Sequence, residues 1–273
     1  MSGIISISHE VQAAAKADTP DIFSSDADGH LHAGIPVTTS RGEKYILRDV
    51  QIKDLPFYQA LGTNPVVQQK FGNGRPALEA KIADRVKIWV NRWEQGLPHG
   101  ALTVDRYSDR KPVGYVVAGA GDEAGISEVA YKFDPDCWNK GVGTAAVGGV
   151  VKEWAPAVKA SGVKCFEGQP LRGLYATAKP SNVASWKLLM HNGFKPCIRD
   201  GLPMIDLSGL KIDGANPRQY NEQLERHLVD NYFNNGIAAK DKLYKLVIPT
   251  GEVFTVSYMS DFDNVEYHFE LEI

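Results

Sequence analysis

A strand that passes through a glycine-containing turn straight into a helix constrains this chain more than any other stretch of it. Ile126 to about Phe133 reads as the strand, a turn follows, and a helix runs from Gly141 to about Val158. Around this unit the periodicity changes repeatedly. Tyr45 to Val50 is an apolar-rich strand, followed by a short helix from about Leu55 to Leu61. Pro76 suits the first position of the next helix, whose Leu78, Ile82, Val86, Trp89, Val90 and Trp93 form one apolar stripe; Gly96-Leu97-Pro98 stops it. Ala101 to Tyr107 and Pro112 to Gly119 are strands joined by a turn at Ser108 to Lys111. Beyond the central unit, a strand from Leu174 to Thr177 leads through Lys179-Pro180-Ser181-Asn182 into a helix ending at Asn192-Gly193. The order is strand, two helices, three strands, helix, strand, helix, with no internal repeat. That order specifies a mixed α/β fold.

The two ends read differently. Residues 1–42 are rich in Ala, Ser, Asp, Thr and Gly, which predicts a flexible arm with a short helix around Glu10 to Ala17. Within it, Asp26, Asp28, His30 and His32 are read as solvated side chains rather than a metal site, and no metal is expected. Residues 43–208 hold the elements above. Residues 209–273 form an extension, with a helix opened by Pro217 that carries Tyr220, Leu224, Leu228 and Tyr232. Strands then follow over 243–247, 253–258 and 266–273, the first two joined at Pro249-Thr250-Gly251. From Glu252 onwards the chain has carboxylates but no Lys or Arg, read as a solvated face.

Composition excludes several classes. The net charge of −3 gives no electrostatic reason to expect nucleic acid or an anionic membrane as partner. Cys137, Cys165 and Cys197 are too scattered for a disulfide framework. No run approaches the roughly 18 apolar residues of a membrane helix, and the first residues lack a basic n-region and long h-region. The expectation is a cytoplasmic protein.

Chemistry concentrates in Glu128 to Thr144. The first turn of a helix has unpaired N–H groups and a positive dipole end, which suit a phosphate. Gly141 and Gly143 remove Cβ atoms where a diphosphate would approach the backbone. A lone G-x-G also occurs in plain tight turns. A nucleotide site is disfavoured, because neither G-K-[ST] nor G-x-G-x-x-G is present.

Trp138-Asn139-Lys140-Gly141-Val142-Gly143 resembles the Q/R-x-x-G-x-G/A signature of the GNAT superfamily of N-acetyltransferases, departing from it at the first position. With Glu128 and Tyr131 upstream, it is similar to the branch that contains the ribosomal-protein N-terminal acetyltransferases. Leu47-Arg48 followed by Asp54-Leu55, and Pro180-x-Asn182-x-x-Ser185 ending in Asn192-Gly193-Phe194, match that branch's first and last segments. The resemblance covers about Tyr45 to Lys195 and implies a mostly antiparallel central sheet with flanking helices. It also implies an acetyl-CoA cleft where two strands splay and the pantetheine lies like an added strand. The diphosphate would rest on the turn formed by Trp138, Asn139, Lys140, Gly141, Val142, Gly143 and Thr144, and Asn182 would bind the pantetheine arm. Asn182 also reads as a helix N-cap.

A free alkylamine is mostly protonated at pH 7, so a base is needed. The resemblance assigns that role to Glu128, and the oxyanion to a backbone N–H near Phe133. Many members protonate the leaving thiolate with a Tyr on the last helix, where this chain has Leu189; members of the resembled branch have a serine at the place of Ser185, which becomes the donor. Glu128 as a strand Glu binding a neighbouring cation, and Ser185 as a structural helix residue, stay open beside these roles. Cys137 has no recognisable His partner for covalent catalysis. The resemblance further implies that C-terminal strands complete the sheet beside the acceptor cleft. Two readings stand: an N-acetyltransferase for a primary amine, small molecule or protein, and a non-catalytic acyl-CoA-binding regulatory or interaction module. Monomer and homodimer both remain open.

Overall fold

The computed structural model describes residues 22–121, 123–164, 168–212, 216–261 and 264–273. The helix expected around Glu10 to Ala17 lies outside them. The strands are β1 (Phe23–Ser25), β2 (Leu31–Thr38), β3 (Lys44–Asp49), β4 (Gly100–Arg106), β5 (Pro112–Ala120), β6 (Ile126–Phe133), β7 (Gly173–Ala178), β8 (Lys195–Pro196), β9 (Met204–Asp206), β10 (Tyr244–Val247), β11 (Val253–Met259) and β12 (Asn264–Glu272). They form one sheet in the order β1-β2-β3-β4-β5-β6-β7-β12-β11-β10-β9, with β8 beside β12. The neighbours are antiparallel except at β6–β7 and β9–β10. The helices are α1 (Leu55–Thr63), α2 (Pro65–Gln68), α3 (Glu79–Glu94), α4 (Val142–Gly149), α5 (Ala155–Ser161), α6 (Val183–His191) and α7 (Pro217–Leu228).

Strand alternation divides the core between the two faces of the sheet. On one face Tyr58 of α1 stacks on Tyr115 of β5, ring centroids 4.4 Å apart, and meets Thr103 Oγ1 at 3.0 Å. Trp89 of α3 joins them. On the other face α4 lies against Ile35, Val37 and Leu47, close enough that a Cβ at Gly149 would stand 2.7 Å from Val37 Cγ1. Arg48 ties the start of the sheet together. Its guanidinium grips both oxygens of Asp54 at 2.7 and 2.8 Å and reaches Asp105 Oδ2 at 2.7 Å. The spacing of Leu47-Arg48 and Asp54-Leu55 therefore has a physical cause: one bidentate ion pair fixes where α1 begins.

Three expectations need correction. The sheet begins at Phe23, so residues 22–42 are not a flexible arm. Ala33 and Ile35 are buried at alternate positions, and the Asp49 carboxylate accepts from the Ala33 N–H at 3.1 Å, which docks β2 on β3. The second helix starts at Glu79 rather than Pro76, because Ala77 N–H donates to the Gly62 carbonyl at 2.9 Å and folds that segment back on α1; Leu78 is left exposed. The helix expected over 141–158 widens into π geometry at Val150–Trp154 before α5. Pro156 has no N–H for the preceding turn's carbonyl, and the ladder loosens just before it.

The extension joins the sheet. Tyr267–Glu272 of β12 pair with Gly173–Ala178 of β7, β11 and β10 follow, and α7 closes on the face that carries α6. Its acidic residues are not all solvated: Glu266 is buried, and that burial, against hydrogen bonds from Thr177 and Asn264, leaves its carboxyl above the usual range.

Candidate active site

β6 and β7 run parallel but pair only over Ile126–Glu128 against Gly173–Tyr175. Beyond that point each strand stays attached to its outer neighbour, β6 to β5 and β7 to β12, and a wedge opens between them. Backbone polarity in the wedge follows from ladder alternation. Asp134 N–H donates to the Val113 carbonyl at 2.8 Å, so the even-numbered residues of β6 bond to β5. The amide groups of Val129, Tyr131 and Phe133 are thereby turned towards β7, past the last paired residue. A segment with strand-like donors and acceptors fits there. Gly114 makes this possible on the β5 side, since a Cβ there would stand 2.2 Å from the Phe133 ring.

The glycine turn sits at the mouth of the wedge. Trp138 donates its indole N–H to the Phe133 carbonyl at 3.0 Å and is itself exposed. Asn139 (φ 58°) and Gly141 (φ 82°) are both left-handed, and Gly141 caps α4. The first intrahelical bond runs from Ala145 N–H to the Gly141 carbonyl, so the amides of Val142, Gly143 and Thr144 lie in the unpaired first turn. A Cβ at Gly143 would meet Leu188 at 2.8 Å, so this glycine also lets α4 pack on α6. Lys140 is exposed beside the turn. Arg41, from the β2–β3 hairpin, donates to the Asn139 carbonyl at 3.0 Å. Two cations thus flank unpaired N–H groups, an arrangement able to hold a diphosphate.

Glu128 is exposed on the face that carries α1 and α3, at the last residue pair before the strands part. Four residues on, Lys132 lies half-buried on the same face. Its ammonium is 3.1 Å from Gln68 Oε1 and 3.9 Å from the Phe71 ring centre. Burial, reinforced by Arg85, pulls its pKa down to about 8.

On the opposite face Ser185 lies in the first turn of α6, and its Oγ is 2.8 Å from Tyr131 Oη. Tyr131 also donates to the Ser185 carbonyl at 3.2 Å. Burial raises the phenol's pKa, partly offset by Ser185, so Tyr131 stays protonated. Asn182 occupies the N-cap position of α6 without a capping side-chain hydrogen bond; its Nδ2 donates instead to the Lys70 carbonyl at 3.4 Å. Leu189 is fully buried. Cys137 is buried too, and that burial, with Asp134, raises its thiol. Among the described residues no cluster of three His, Cys, Asp or Glu side chains is arranged to hold a metal. No helix among them is long and apolar enough to cross a membrane.

The structure therefore brings Phe133, Trp138–Thr144, Asn182 and Ser185 around one wedge, with Glu128 at its base. Sequence reasoning missed Arg41, Lys132 and the Tyr131–Ser185 contact. Arg41 lay in the stretch read as an arm. The other two depend on which strand face meets which helix, and the alternation of β6 was the available signal.

A family model described as an acetyltransferase (GNAT) domain matches residues 44–195, more than half of the chain. A comparison with curated proteins finds no match. Among solved structures, the GNAT-family acetyltransferase from Bacillus anthracis aligns with a TM-score of 0.51 at 14% identity, over 88% of this chain and 98% of its own. RimL, a ribosomal-protein alpha-N-acetyltransferase, in complex with coenzyme A, aligns with a TM-score of 0.50 at 12% identity, over 88% and 98%. At such identities the likeness is one of fold, the mixed sheet with flanking helices. The matched span begins with β3, takes in the splayed strands and the glycine turn, and ends just after α6. This chain belongs to the GNAT acetyltransferase family.

Proposed function

We infer that the chain is an N-acetyltransferase that moves an acetyl group from acetyl-CoA to a primary amine by direct attack in a ternary complex. The observation that carries this reading is the wedge between β6 and β7 with the glycine turn at its mouth. The residues present fit coenzyme A. Gly141 takes the left-handed conformation that turns the chain into α4, the amides of Val142, Gly143 and Thr144 are free of helix partners and suit a diphosphate, and Tyr131 and Phe133 turn backbone groups towards a pantetheine arm. Coenzyme A bound to RimL supports the same ligand here.

In the proposed reaction the Glu128 carboxylate takes a proton from the ammonium form of the acceptor, directly or through a water. The amine nitrogen then attacks the thioester carbonyl carbon, and the surplus proton on that nitrogen passes to water. The Phe133 N–H steadies the oxyanion, and the C–S bond breaks as the tetrahedral centre collapses. Ser185 donates a proton to the leaving sulfur. Ser185 regains a proton from water, and the Tyr131 hydroxyl holds Ser185 Oγ in place along the 2.8 Å contact. The buried Leu189 cannot serve as acid, so α6 supplies Ser185 alone among the residues named for that role.

The test combines calorimetric titration of coenzyme A with thiol release from acetyl-CoA in the presence of peptides with free N-termini, lysine, spermidine and an aminoglycoside. Binding with turnover of at least one amine is expected. Binding without turnover of any would favour the non-catalytic acyl-CoA-binding module. Absence of binding would remove the cofactor assignment.

A further inference from the structure

The face of the wedge that carries Glu128 also carries two cations with no counter-ion. Lys132 lies on β6 beyond the last residue pair with β7, and the residue after it is Phe133, whose N–H the proposed reaction uses for the oxyanion. The groups that hold its ammonium are neutral: Gln68 Oε1 at 3.1 Å and the Phe71 ring, with its centre 3.9 Å away. Between those two residues Lys70 reaches the other lip of the wedge. Its carbonyl accepts from Asn182 Nδ2 at 3.4 Å, and its ammonium donates to Ser181 Oγ at 3.1 Å. Lys132 thus stands at the cleft, against a segment that spans it.

The second cation is Arg85, exposed on α3. It lies near enough to act electrostatically on both Lys132 and Tyr115, the ladder partner of Lys132. Among the described residues neither cation forms an ion pair. Like charges placed together repel, and partial burial of one of them without an anion adds to the cost. The pKa of about 8 at Lys132 has these two causes, burial first, and it leaves the side chain charged at pH 7. An anion set between the two cations would offset both penalties. The diphosphate of coenzyme A does not fill this place, because the glycine turn opens into α4 on the opposite face of the sheet.

We propose that Lys132 and Arg85 form an anion subsite on the acceptor side of the wedge, and that the acceptor is an amine that also carries a carboxylate. This rests on the acetyltransferase reading and narrows its substrate class. Glu128 on the same face suits the ammonium end of such a molecule, and the cation pair suits the other end. A polyamine or an aminoglycoside would bring further positive charge against Lys132 and Arg85 and is disfavoured.

The experiment uses the full chain with acetyl-CoA and acceptors matched in pairs: lysine with lysine amide, and an amidated peptide beginning Ala-Asp with one beginning Ala-Asn. The carboxylate member of at least one pair is expected to have a roughly 10- to 100-fold higher kcat/KM, the scale of a hydrogen bond to a charged group, and spermidine is expected to be poor. Lys132→Met should remove most of that advantage, with the neutral member staying within about twofold of its wild-type value. Lys132→Arg should keep it. Arg85→Glu, on the exposed side of its helix, should shrink the advantage and improve spermidine. Equal turnover of both members of each pair by the wild-type chain would overturn this inference and leave the acetyltransferase reading standing. So would an advantage that survives both Lys132→Met and Arg85→Glu, or a Lys132→Met loss that falls alike on both members. Failure of the wild-type chain to acetylate any of these amines while binding coenzyme A would remove both together.

Discussion

Replacing Gly141 by alanine, glutamate and lysine in parallel separates the backbone role of this glycine from its electrostatic one. All three side chains must adopt the left-handed φ of 82°, which costs roughly 1–2 kcal/mol of folding stability. None meets a hard clash at Cβ, because its nearest neighbours would be Thr39 Cβ at 3.5 Å and Ser40 Oγ at 3.6 Å. Unfolding free energies of the three variants should thus fall together by about the same amount. Coenzyme A affinity should not. A carboxylate emerging beside the first turn of α4, about 5 Å from a phosphate charge, repels it by roughly 1–3 kcal/mol at effective dielectric constants of about 80 to 20. That corresponds to roughly a 5- to 150-fold weaker Kd for Gly141→Glu than for Gly141→Ala, with Gly141→Lys at or below the alanine value. Calorimetric titration alongside urea unfolding reads both quantities. Equal Kd values for the glutamate and lysine variants would refute the placement of a diphosphate at this turn.

Glu128→Gln should lower kcat at pH 7 by roughly 10²- to 10⁴-fold with coenzyme A affinity retained, and the deficit should narrow towards pH 10 as free amine accumulates; an unchanged rate at pH 7 excludes Glu128 as base. Ser185→Ala should lower kcat more than Tyr131→Phe does, because Tyr131→Phe leaves the serine hydroxyl present and removes only the group that orients it; the reverse order in steady-state assays would count against Ser185 as donor. Ile35→Ala, in the fully buried centre of β2, should cost about 2–5 kcal/mol in urea unfolding, whereas a loss below about 0.5 kcal/mol would mean that the strand does not belong to the core. Removing residues 243–273 should strip β12 from β7 and give aggregation, and a soluble 1–242 chain with an unchanged melting temperature would contradict that.

Legibility in the sequence followed the strength of local patterns. The strand at Ile126–Phe133 and the turn after it were visible because glycine, proline and alternation coincide there. The N-terminal hairpin was hidden because β2 is short of bulky residues. Its Leu31, Ala33, Ile35 and Val37 do alternate, but between Gly, Pro, Thr and His they resemble the polar arm around them. The coenzyme-facing residues of the turn could be named from one motif, being consecutive. The rest could not: Glu128 lies opposite Tyr175 only once β6 is aligned with β7, and Tyr131 meets Ser185 only once α6 packs on β6, and no spacing in one chain segment encodes that register.

The wedge also makes β6 and β7 a seam in an otherwise continuous sheet. They share three residue pairs, against seven between β5 and β6 and six between β7 and β12. The sheet is in effect two panels, each internally well laced. Across the joint run a few ties, among them Lys70 Nζ to Ser181 Oγ at 3.1 Å and the packing of α4 on α6. A ligand laid along the seam becomes a brace between the panels, adding main-chain bonds where the two panels share only three residue pairs. Ligand-free chain should therefore melt with the panels partly uncoupled, its calorimetric enthalpy exceeding the van't Hoff value, and saturation with coenzyme A should bring the two enthalpies together.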